Sequence, residues 1–469
     1  MTAFTHQFSK DIIREYDIRG IVDKNLSDAD LFAIGRAFGT MVVRTNGRGT
    51  VGLCYDGRHS SPRFAQQMIN GLMACGLTVE DFGVGPTPLA YYALHARNLD
   101  GIVVITGSHN PPEYNGIKMA LASGALYGAA IQQLAQLAAD GDVVSADNGR
   151  VSKIDITEDY LNRLVGDYNG HGKPDLKIAW DAGNGAAGAV LKEFTAKIPG
   201  EHILLFEEVD GDFPNHHPDP AVEKNLEDLK KAVLDHGCDL GIAFDGDADR
   251  IGVVNDKGQV LWSDQLVALY AKEVIERLPG AEIILDVKCS DTAAEAVTKF
   301  GGKPTIWKTG HSIMKAKMKE SGAPLGGELS GHIFFKDGFY GHDDALYCAI
   351  RLLNIVQQYG PLSEQVTIFP RVYNTPEIRF DVDEENKFHY IAAAADYISA
   401  NASQDVSVLS IDGIRVTTPK GWWLLRASNT QNALTGRVEA TTESDLQQLV
   451  DMLKQTLSAV NCPFPDPLY

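Results

Sequence analysis

Short apolar runs closed by polar loops recur through most of the chain and outline its architecture. Val51-Gly52-Leu53-Cys54-Tyr55 ends in Asp56 and leads through Gly57-Arg58-His59-Ser60-Ser61-Pro62 into a helical pattern. Lys177-Ile178-Ala179-Trp180 ends in Asp181 and leads through Ala182-Gly183-Asn184-Gly185 into an Ala-rich helix. Glu282-Ile283-Ile284-Leu285 ends in Asp286 and leads through Val287-Lys288-Cys289-Ser290 into a helix from Asp291. Runs with so little polar alternation fit strands buried on both faces of a parallel sheet. Each unit then offers a second strand with a Gly-containing loop: Val84-Gly85-Pro86-Thr87-Pro88, Val209-Asp210-Gly211-Asp212-Phe213, and Lys308-Thr309-Gly310-His311-Ser312. Each next reaches a third strand and a polar loop, at 106–111, 245–250 and 327–332. Landmarks that match in this order predict three topologically related α/β domains.

The last hundred or so residues break the pattern. Glu377-Ile378-Arg379-Phe380-Asp381-Val382 reads as a strand, an Ala-rich helix follows around 391–398, and further strands are expected at about 413–417, 422–426 and 435–440. A final helix places Leu446, Leu449, Val450, Leu453, Leu457 and Val460 on one face, with Ser444 as its expected N-cap. This is an α+β domain. Borders near residues 154, 258 and 371 give four units, 1–154, 155–258, 259–371 and 372–469.

Composition narrows the function classes. The 469 residues exceed what one core holds, and 44% hydrophobic with 22% charged residues is ordinary globular composition. A formal net charge of −20 argues against nucleic-acid binding and requires that any anionic ligand meet clustered Arg and Lys locally. No window approaches the roughly 20 apolar residues of a membrane span. The amino terminus has no charged region followed by an apolar core, so no secretory signal is expected. The six cysteines have neither metal-ligand nor redox spacing and read as reduced core residues. Together these point to a cytoplasmic protein.

The first candidate chemistry is Thr106-Gly107-Ser108-His109-Asn110-Pro111, just past the apolar Gly101-Ile102-Val103-Val104-Ile105. Open α/β sheets place ligands at such strand ends. Asn115-Gly116 is a turn signal, so the chain is expected to reverse there and return Lys118 toward Ser108, a partner able to move protons. A polar loop without chemistry has the same composition.

Asp245-Gly246-Asp247-Ala248-Asp249-Arg250 follows another apolar strand, Leu240-Gly241-Ile242-Ala243-Phe244. At about 4 Å and an effective dielectric of about 20, each like-charged pair costs about 4 kcal/mol, so the triplet calls for a cation. A calcium EF-hand is excluded by context, since Arg250 stands where that loop needs Gly and strand-like segments replace the flanking helices. Mg²⁺ bridging carboxylates and a phosphate fits, with a solvated acidic turn as the alternative. A phosphoryl group on Ser108 would add about −1.5 to −2 charges, which strengthens the need for a divalent cation.

Glu328, Ser330 and His332 alternate in Gly327-Glu328-Leu329-Ser330-Gly331-His332; on an extended loop they would face one side and suit vicinal sugar hydroxyls. Arg426-Ala427-Ser428-Asn429-Thr430 after Gly421-Trp422-Trp423-Leu424-Leu425 has the composition of a phosphate cradle, though an unliganded loop fits equally. Tyr16 and Arg19 lie in Arg14-Glu15-Tyr16-Asp17-Ile18-Arg19-Gly20, and Lys288 and Lys308 end strands of the third unit.

These five segments, in this order and spanning nearly the whole chain, resemble the α-D-phosphohexomutase superfamily, in particular its bacterial phosphomannomutase/phosphoglucomutase group. The resemblance implies three related α/β domains and a C-terminal α+β domain around a central cleft, each giving one functional loop. It implies Ser108 as the phosphoserine and Asp245, Asp247 and Asp249 as ligands of one Mg²⁺ together with the Ser108 phosphate. Glu328 and Ser330 would hold sugar hydroxyls, and Thr309, Gly310 and His311 would lie in the substrate site. Arg426, Ser428, Asn429 and Thr430, with Lys288 and Tyr16, would hold the non-reacting phosphate. Arg19, His109, Lys118, Arg250 and His332 would surround the transferring phosphoryl, Lys118 or His332 carrying the proton.

The implied reaction interconverts hexose 1-phosphate and 6-phosphate of mannose and glucose through a 1,6-bisphosphate that turns over in the cleft, with glucose 1,6-bisphosphate as activator and the protein a monomer or small homo-oligomer. Gln431-Asn432 departs from the family's usual Glu-Pro or Thr-Pro after the phosphate loop, and Leu329 replaces the more frequent Met. An apolar residue at 329 favours the mannose/glucose branch over phosphoglucosamine mutase. A phosphoserine-forming sugar phosphatase and a non-catalytic sugar-phosphate-binding relative complete the alternatives.

Overall fold

The computed structural model describes residues 4–170, 174–383, 385–401, 403–428, 432–465 and 467–468. Three of its sheets share one strand order. In the first, Tyr114–Leu121, Gly101–Ile105, Thr50–Tyr55 and Thr78–Val84 lie side by side, flanked by Ile18–Ile21 and Arg150–Lys153. The second repeats this with Ile251–Asn255, Leu240–Phe244, Leu176–Asp181 and Gly200–Leu205. The third does so with Ile333–Phe335, Leu325–Gly327, Glu282–Asp286 and Lys303–Trp307. In each, the first, second and third strands of the unit are parallel and only the hairpin strand runs antiparallel. The polar loops at 106–113, 245–250 and 328–332 therefore occupy equivalent places, between the third strand and its hairpin partner.

Burial explains the apolar runs. All five residues of Gly101–Ile105 and of Leu240–Phe244 are buried, and each Val or Ile side chain so placed contributes about 1.5–3 kcal/mol. The cores are not one per unit. Helices Thr87–Ala96, Thr157–Val165, Ser263–Arg277 and Ala345–Tyr359 merge the second and third units with one face of the first into a continuous apolar cluster that includes Trp180 and Tyr270. The other face of the first sheet has a separate core under Asp28–Asn46 and Ser61–Met73.

The fourth sheet is wholly antiparallel, with Ala433–Ala440 paired to Gly421–Ala427, Tyr373–Asn374 and Ile378–Asp381, and Ile414–Thr418 leading to Ser407–Leu409. Lys387–Asn401 and Glu443–Ala459 cover one face around Trp423, Leu449 and Leu453. Its apolar contact with the third unit is small: Trp422 and Leu424 against Val287 and Ile306.

Several local expectations need correction. Thr442, not Ser444, caps the last helix, its hydroxyl accepting the Asp445 N–H at 3.1 Å. Asn115-Gly116 is not a turn but lies within Tyr114–Leu121; the reversal occurs upstream, in 106–113. The Asn115 amide is buried and donates to Ser60 Oγ and Ser61 Oγ at 2.8 and 2.9 Å, while Gly116 is needed because a Cβ there would lie 2.6 Å from Ile18 O. Strand Ser407–Leu409 escaped the sequence reading because its side chains are largely exposed. All six cysteines are free and buried, and among the described residues no helix is long and apolar enough to cross a membrane.

Candidate active site

Ser108 lies in the loop just past strand Gly101–Ile105, in a left-handed backbone conformation, φ 49°, that serine seldom adopts. Several contacts hold it there. Its N–H donates to Thr106 Oγ1 at 2.8 Å, and its carbonyl accepts from Arg58 Nη2 at 2.8 Å. The Ser108 hydroxyl donates to Asp245 Oδ2 at 3.0 Å and lies 3.1 Å from His109 Nδ1. The first and second sheets meet here backbone to backbone: a Cβ on Gly246 would lie 2.3 Å from Ser108 O.

Asp245, Asp247 and Asp249 are all buried, and one carboxylate oxygen of each lies within 4.8 Å of the others. Lys118, delivered by the hairpin strand, bridges two of them, with Nζ 2.7 Å from Asp247 Oδ2 and 2.5 Å from Asp249 Oδ2. Thr87 Oγ1 also donates to Asp247 Oδ2, at 2.5 Å. Burial, then the charges of Asp247 and Asp249, push the Asp245 carboxyl well above the usual carboxylate range. Burial would do the same to Asp247, but the Lys118 ammonium and the Thr87 hydroxyl outweigh it and hold that carboxyl low. For Lys118, burial opposes the charge and the three aspartates more than restore it, raising its pKa. Asp247 Oδ1 and Asp249 Oδ1 remain buried without a hydrogen-bonding partner among the described residues. Buried carboxylate oxygens with nothing to accept from suit a hard divalent cation.

Basic groups surround this acidic centre, the local reversal that the net charge demands. Arg19 donates to Asn110 Oδ1 and, at 2.5 Å, to Asp17 Oδ2. Arg250 Nε donates to His332 Nε2 at 3.0 Å. His332 Nδ1 lies 2.9 Å from Asp343 Oδ2, an ion-pair distance, but neither atom makes a hydrogen bond of good geometry. Asp343 is bound on its other oxygen by Lys315 Nζ at 2.8 Å. His109 is held neutral, by burial first and then by the nearby Arg250 and Arg19.

Residues 328–332 do not form the extended loop expected from their alternation. They make a tight turn closed by Glu328 N–H to His332 O at 2.8 Å, with Gly331 at φ 101°. Glu328 and Ser330 still converge, Ser330 Oγ lying 3.2 Å from Glu328 Oε2, whereas His332 faces the aspartate loop. Glu328 Oε1 accepts the Gly310 N–H at 3.1 Å, which brings the 308–312 loop alongside. Burial first, with Asp286 adding to it, raises the Glu328 carboxyl.

Tyr16 links the first unit to this region. Its hydroxyl donates to Thr309 O at 2.9 Å, and its ring meets that of His311 edge-on at 6.2 Å. Lys288 Nζ is 3.7 Å from Asp286 Oδ2. From the fourth unit, Arg426 is paired to Asp412, which also accepts the Thr309 N–H at 3.1 Å. The Ser428 carbonyl accepts from Lys387 Nζ at 3.0 Å; Asn429 and Thr430 lie outside the described residues. The described candidates thus form two joined groups, one around Ser108 and the aspartates and one around Glu328, Thr309 and Arg426. Sequence reasoning missed Arg58, Thr87, Lys315, Asp343 and Asp412; only Lys315, one helical turn past His311, left a readable sign.

Comparisons with known proteins place the chain in a family. Four family models match: phosphoglucomutase/phosphomannomutase alpha/beta/alpha domain I over residues 10–142, domain II over 158–258, domain III over 262–373, and the C-terminal domain over 377–456. The chain is 42% identical over 468 residues to a phosphomannomutase/phosphoglucomutase of Pseudomonas aeruginosa, covering 99% of each. It is 40% identical to a phosphoglucomutase of Neisseria meningitidis, covering 96% of this chain and 97% of that one. A crystal structure of a phosphoglucomutase/phosphomannomutase family protein from Burkholderia thailandensis superposes with a TM-score of 0.90 at 41% identity, covering 97% of this chain and 98% of that one. A serine just past a buried strand, an aspartate triplet against it and matches along all four units make this chain a member of the phosphoglucomutase/phosphomannomutase family, within the α-D-phosphohexomutases.

Proposed function

We propose that the chain interconverts the 1- and 6-phosphates of mannose and glucose through phospho-Ser108 and a hexose 1,6-bisphosphate. The observation that carries this reading is the Ser108 hydroxyl 3.0 Å from Asp245, inside a buried carboxylate triplet. Relatives at about this degree of similarity with both mannose and glucose mutase names support the sugar choice.

In the first transfer, the bond from phosphorus to Ser108 Oγ breaks and a bond from phosphorus to a sugar hydroxyl oxygen forms. The proton that leaves the sugar hydroxyl is, in the net reaction, the one that ends on Ser108 Oγ, so none is taken up or released. The bisphosphate turns over, and its other phosphate returns to Ser108. Asp245, Asp247 and Asp249 would hold Mg²⁺ with the Ser108 phosphate. When bound, the ion neutralises the phosphoryl oxygens and withdraws charge from them. Arg19, Lys118 and Arg250 offer positive charge to the equatorial oxygens.

Lys118, held as an ammonium beside Asp247 and Asp249, or His332 carries the proton that Ser108 Oγ gains, while neutral His109 orients the hydroxyl with Nδ1 3.1 Å from Oγ. Glu328 and Ser330 take the sugar hydroxyls, with Thr309, Gly310 and His311 beside them. Arg426, Ser428, Asn429, Thr430, Lys288 and Tyr16 take the distal phosphate.

This reading keeps the expected unit borders near 154, 258 and 371, a cytoplasmic location and glucose 1,6-bisphosphate as activator. Strand Arg150–Lys153, at the edge of the first sheet, supports the first border, Val260–Leu261 still pairs with the second sheet and so places the second border a few residues past 258, and six buried free cysteines support a reducing compartment.

The test offers purified protein, Mg²⁺ and a trace of glucose 1,6-bisphosphate with mannose 1-phosphate, glucose 1-phosphate and glucosamine 1-phosphate in separate assays. Turnover of the first two is expected. Turnover of none, or steady release of inorganic phosphate without isomer, sinks the reading, and turnover of glucosamine phosphate alone makes it a phosphoglucosamine mutase. Ser108→Ala should remove both isomerisation and the one-phosphoryl mass increment of the protein.

A further inference from the structure

The strand-end aspartates are the part of the threefold repeat that the reaction leaves without a task. Asp56, Asp181 and Asp286 are all buried. In the first sheet, Tyr55 pairs with Ile105, which sets Asp56 level with Thr106. Asp56 Oδ2 accepts the N–H of Gly107, immediately before Ser108, at 3.0 Å. In the third sheet, Leu285 pairs with Gly327, which sets Asp286 level with Glu328. Asp286 Oδ1 accepts the N–H of Leu329, between Glu328 and Ser330, at 3.2 Å. Both carboxylates therefore grip the backbone one residue past their register partner, at the residue adjoining the functional side chain. A casual polar contact has no reason to recur at the same register in two sheets.

Each carboxylate also fastens a second part of its site. Asp56 Oδ2 accepts from Arg58 Nε at 3.1 Å. The same guanidinium donates to the carbonyls of Ser108 and Asn110 at 2.8 and 2.5 Å and of Pro111 and Tyr114 at 2.5 and 3.0 Å. Asp286 Oδ2 accepts from Thr309 Oγ1 at 2.9 Å, joining the 308–312 loop to the sugar turn. Asp181 differs. It pairs with Ala243 inside the strand, and its carboxylate takes Gly183 N–H at 2.8 Å and His216 Nε2 at 2.9 Å. It reaches the metal loop only indirectly, since the neighbouring Ala186 N–H donates to Gly246 O.

We propose that Asp56 and Asp286 are positioning residues of the mutase reaction, Asp56 setting the phosphoserine loop and Asp286 setting the sugar turn. The inference rests on the function proposed above. A carboxylate accepting a backbone N–H makes a charge-assisted bond of fixed direction. An asparagine in its place keeps the volume but presents an amide NH₂ to one or more donors. The two residues then divide the kinetics: Asp56 acts on the chemical step and Asp286 on substrate capture.

The test uses full-length Asp56→Asn and Asp286→Asn, read by hydrogen-exchange mass spectrometry and by initial rates. In Asp56→Asn, amides of 106–113 should exchange about tenfold faster, the scale of one charge-assisted hydrogen bond, while 328–332 stay as in the wild type. Asp286→Asn should show the reverse. Asp56→Asn should lower kcat about 100-fold, as a misplaced reacting group does, with KM little changed. Asp286→Asn should raise KM about tenfold with a smaller change in kcat. Exchange raised throughout the molecule, equal effects of both variants on both loops, or no change in either loop overturns the proposal. Arg58→Lys and Thr309→Val, which leave the aspartates in place and remove a partner, repeat the same split should an asparagine variant fail to fold. A wild-type protein that turns over no hexose phosphate defeats the proposed function instead, and the loop-specific exchange is still read.

Discussion

Lys118 Nζ lies 2.5 Å from Asp249 Oδ2, although the lysine comes from the hairpin strand of the first sheet and the aspartate from the loop of the second. The pair joins two units and supplies positive charge to a triplet whose members would otherwise repel. Lys118→Met should end phosphoryl transfer and destabilise the fold by about 3–5 kcal/mol, the range for breaking a buried ion pair on one side. Mg²⁺ should restore more stability to the variant than to the wild type. Urea unfolding of both proteins, with and without the ion, checks this.

Chelation should stop isomerisation without removing phosphate from Ser108, because on the proposed reading the aspartates hold the ion and the serine holds the group. Asp245→Asn should raise the Mg²⁺ needed for half-maximal rate by more than the about 10–100-fold that loss of an outer partner costs. Intact-protein mass and rates across a Mg²⁺ titration test both. Loss of the phosphoryl increment on chelation alone contradicts the assignment.

His216 gives a pH signature. Burial lowers the pKa of its imidazole, but the hydrogen bond and charge of Asp181, 2.9 Å away, prevail and raise it above the ordinary value. The folded state therefore binds the proton more tightly than the unfolded one. The contribution is complete below about pH 6.5, the unfolded value, and declines as pH rises through the raised folded value. The stability gap between wild type and His216→Gln should be widest below about pH 6.5 and narrow as pH rises above it, on the scale of a charge-assisted bond. A gap that widens with pH refutes this sign.

Arg415 fastens the fourth unit to the third. Its Nη1 donates to Val287 O and Cys289 O at 2.8 and 3.0 Å, its Nη2 to Asp291 at 2.7 Å, and its guanidinium lies 3.8 Å over Trp422. With so little apolar area between these units, Arg415→Met should cost about 3 kcal/mol and raise KM for hexose phosphate by loosening the distal-phosphate residues. An unchanged KM in a folded variant argues against the coupling.

What could be read in advance was what lies close together in sequence. Ser108 and the aspartate triplet stand in unbroken motifs after strands whose burial is written in their composition. The repeat of strand, Asp and helix gave the topology of three sheets. Contacts between distant segments were not legible: Lys315 meets Asp343 across 28 positions and Asp412 meets Thr309 across 103. Local signals also failed where packing overruled them. Asn115-Gly116 has turn chemistry, yet two serine hydroxyls and a neighbouring carbonyl draw it into a strand. The alternation of Glu328, Ser330 and His332 suggested a shared face, but a left-handed Gly331 folds the segment back and sends the histidine to the aspartates.

The close approach of Gly246 to Ser108 has its own consequence. The gap between nucleophile and counter-charges is gauged by a missing atom, since nothing larger than hydrogen fits at position 246. Any side chain there would act as a shim, prising apart the first and second units at their chemical centre while leaving both motifs intact letter for letter. A chain that carries every signature residue and a bulky residue at 246 would pass as a mutase on inspection and be misaligned by an ångström or two.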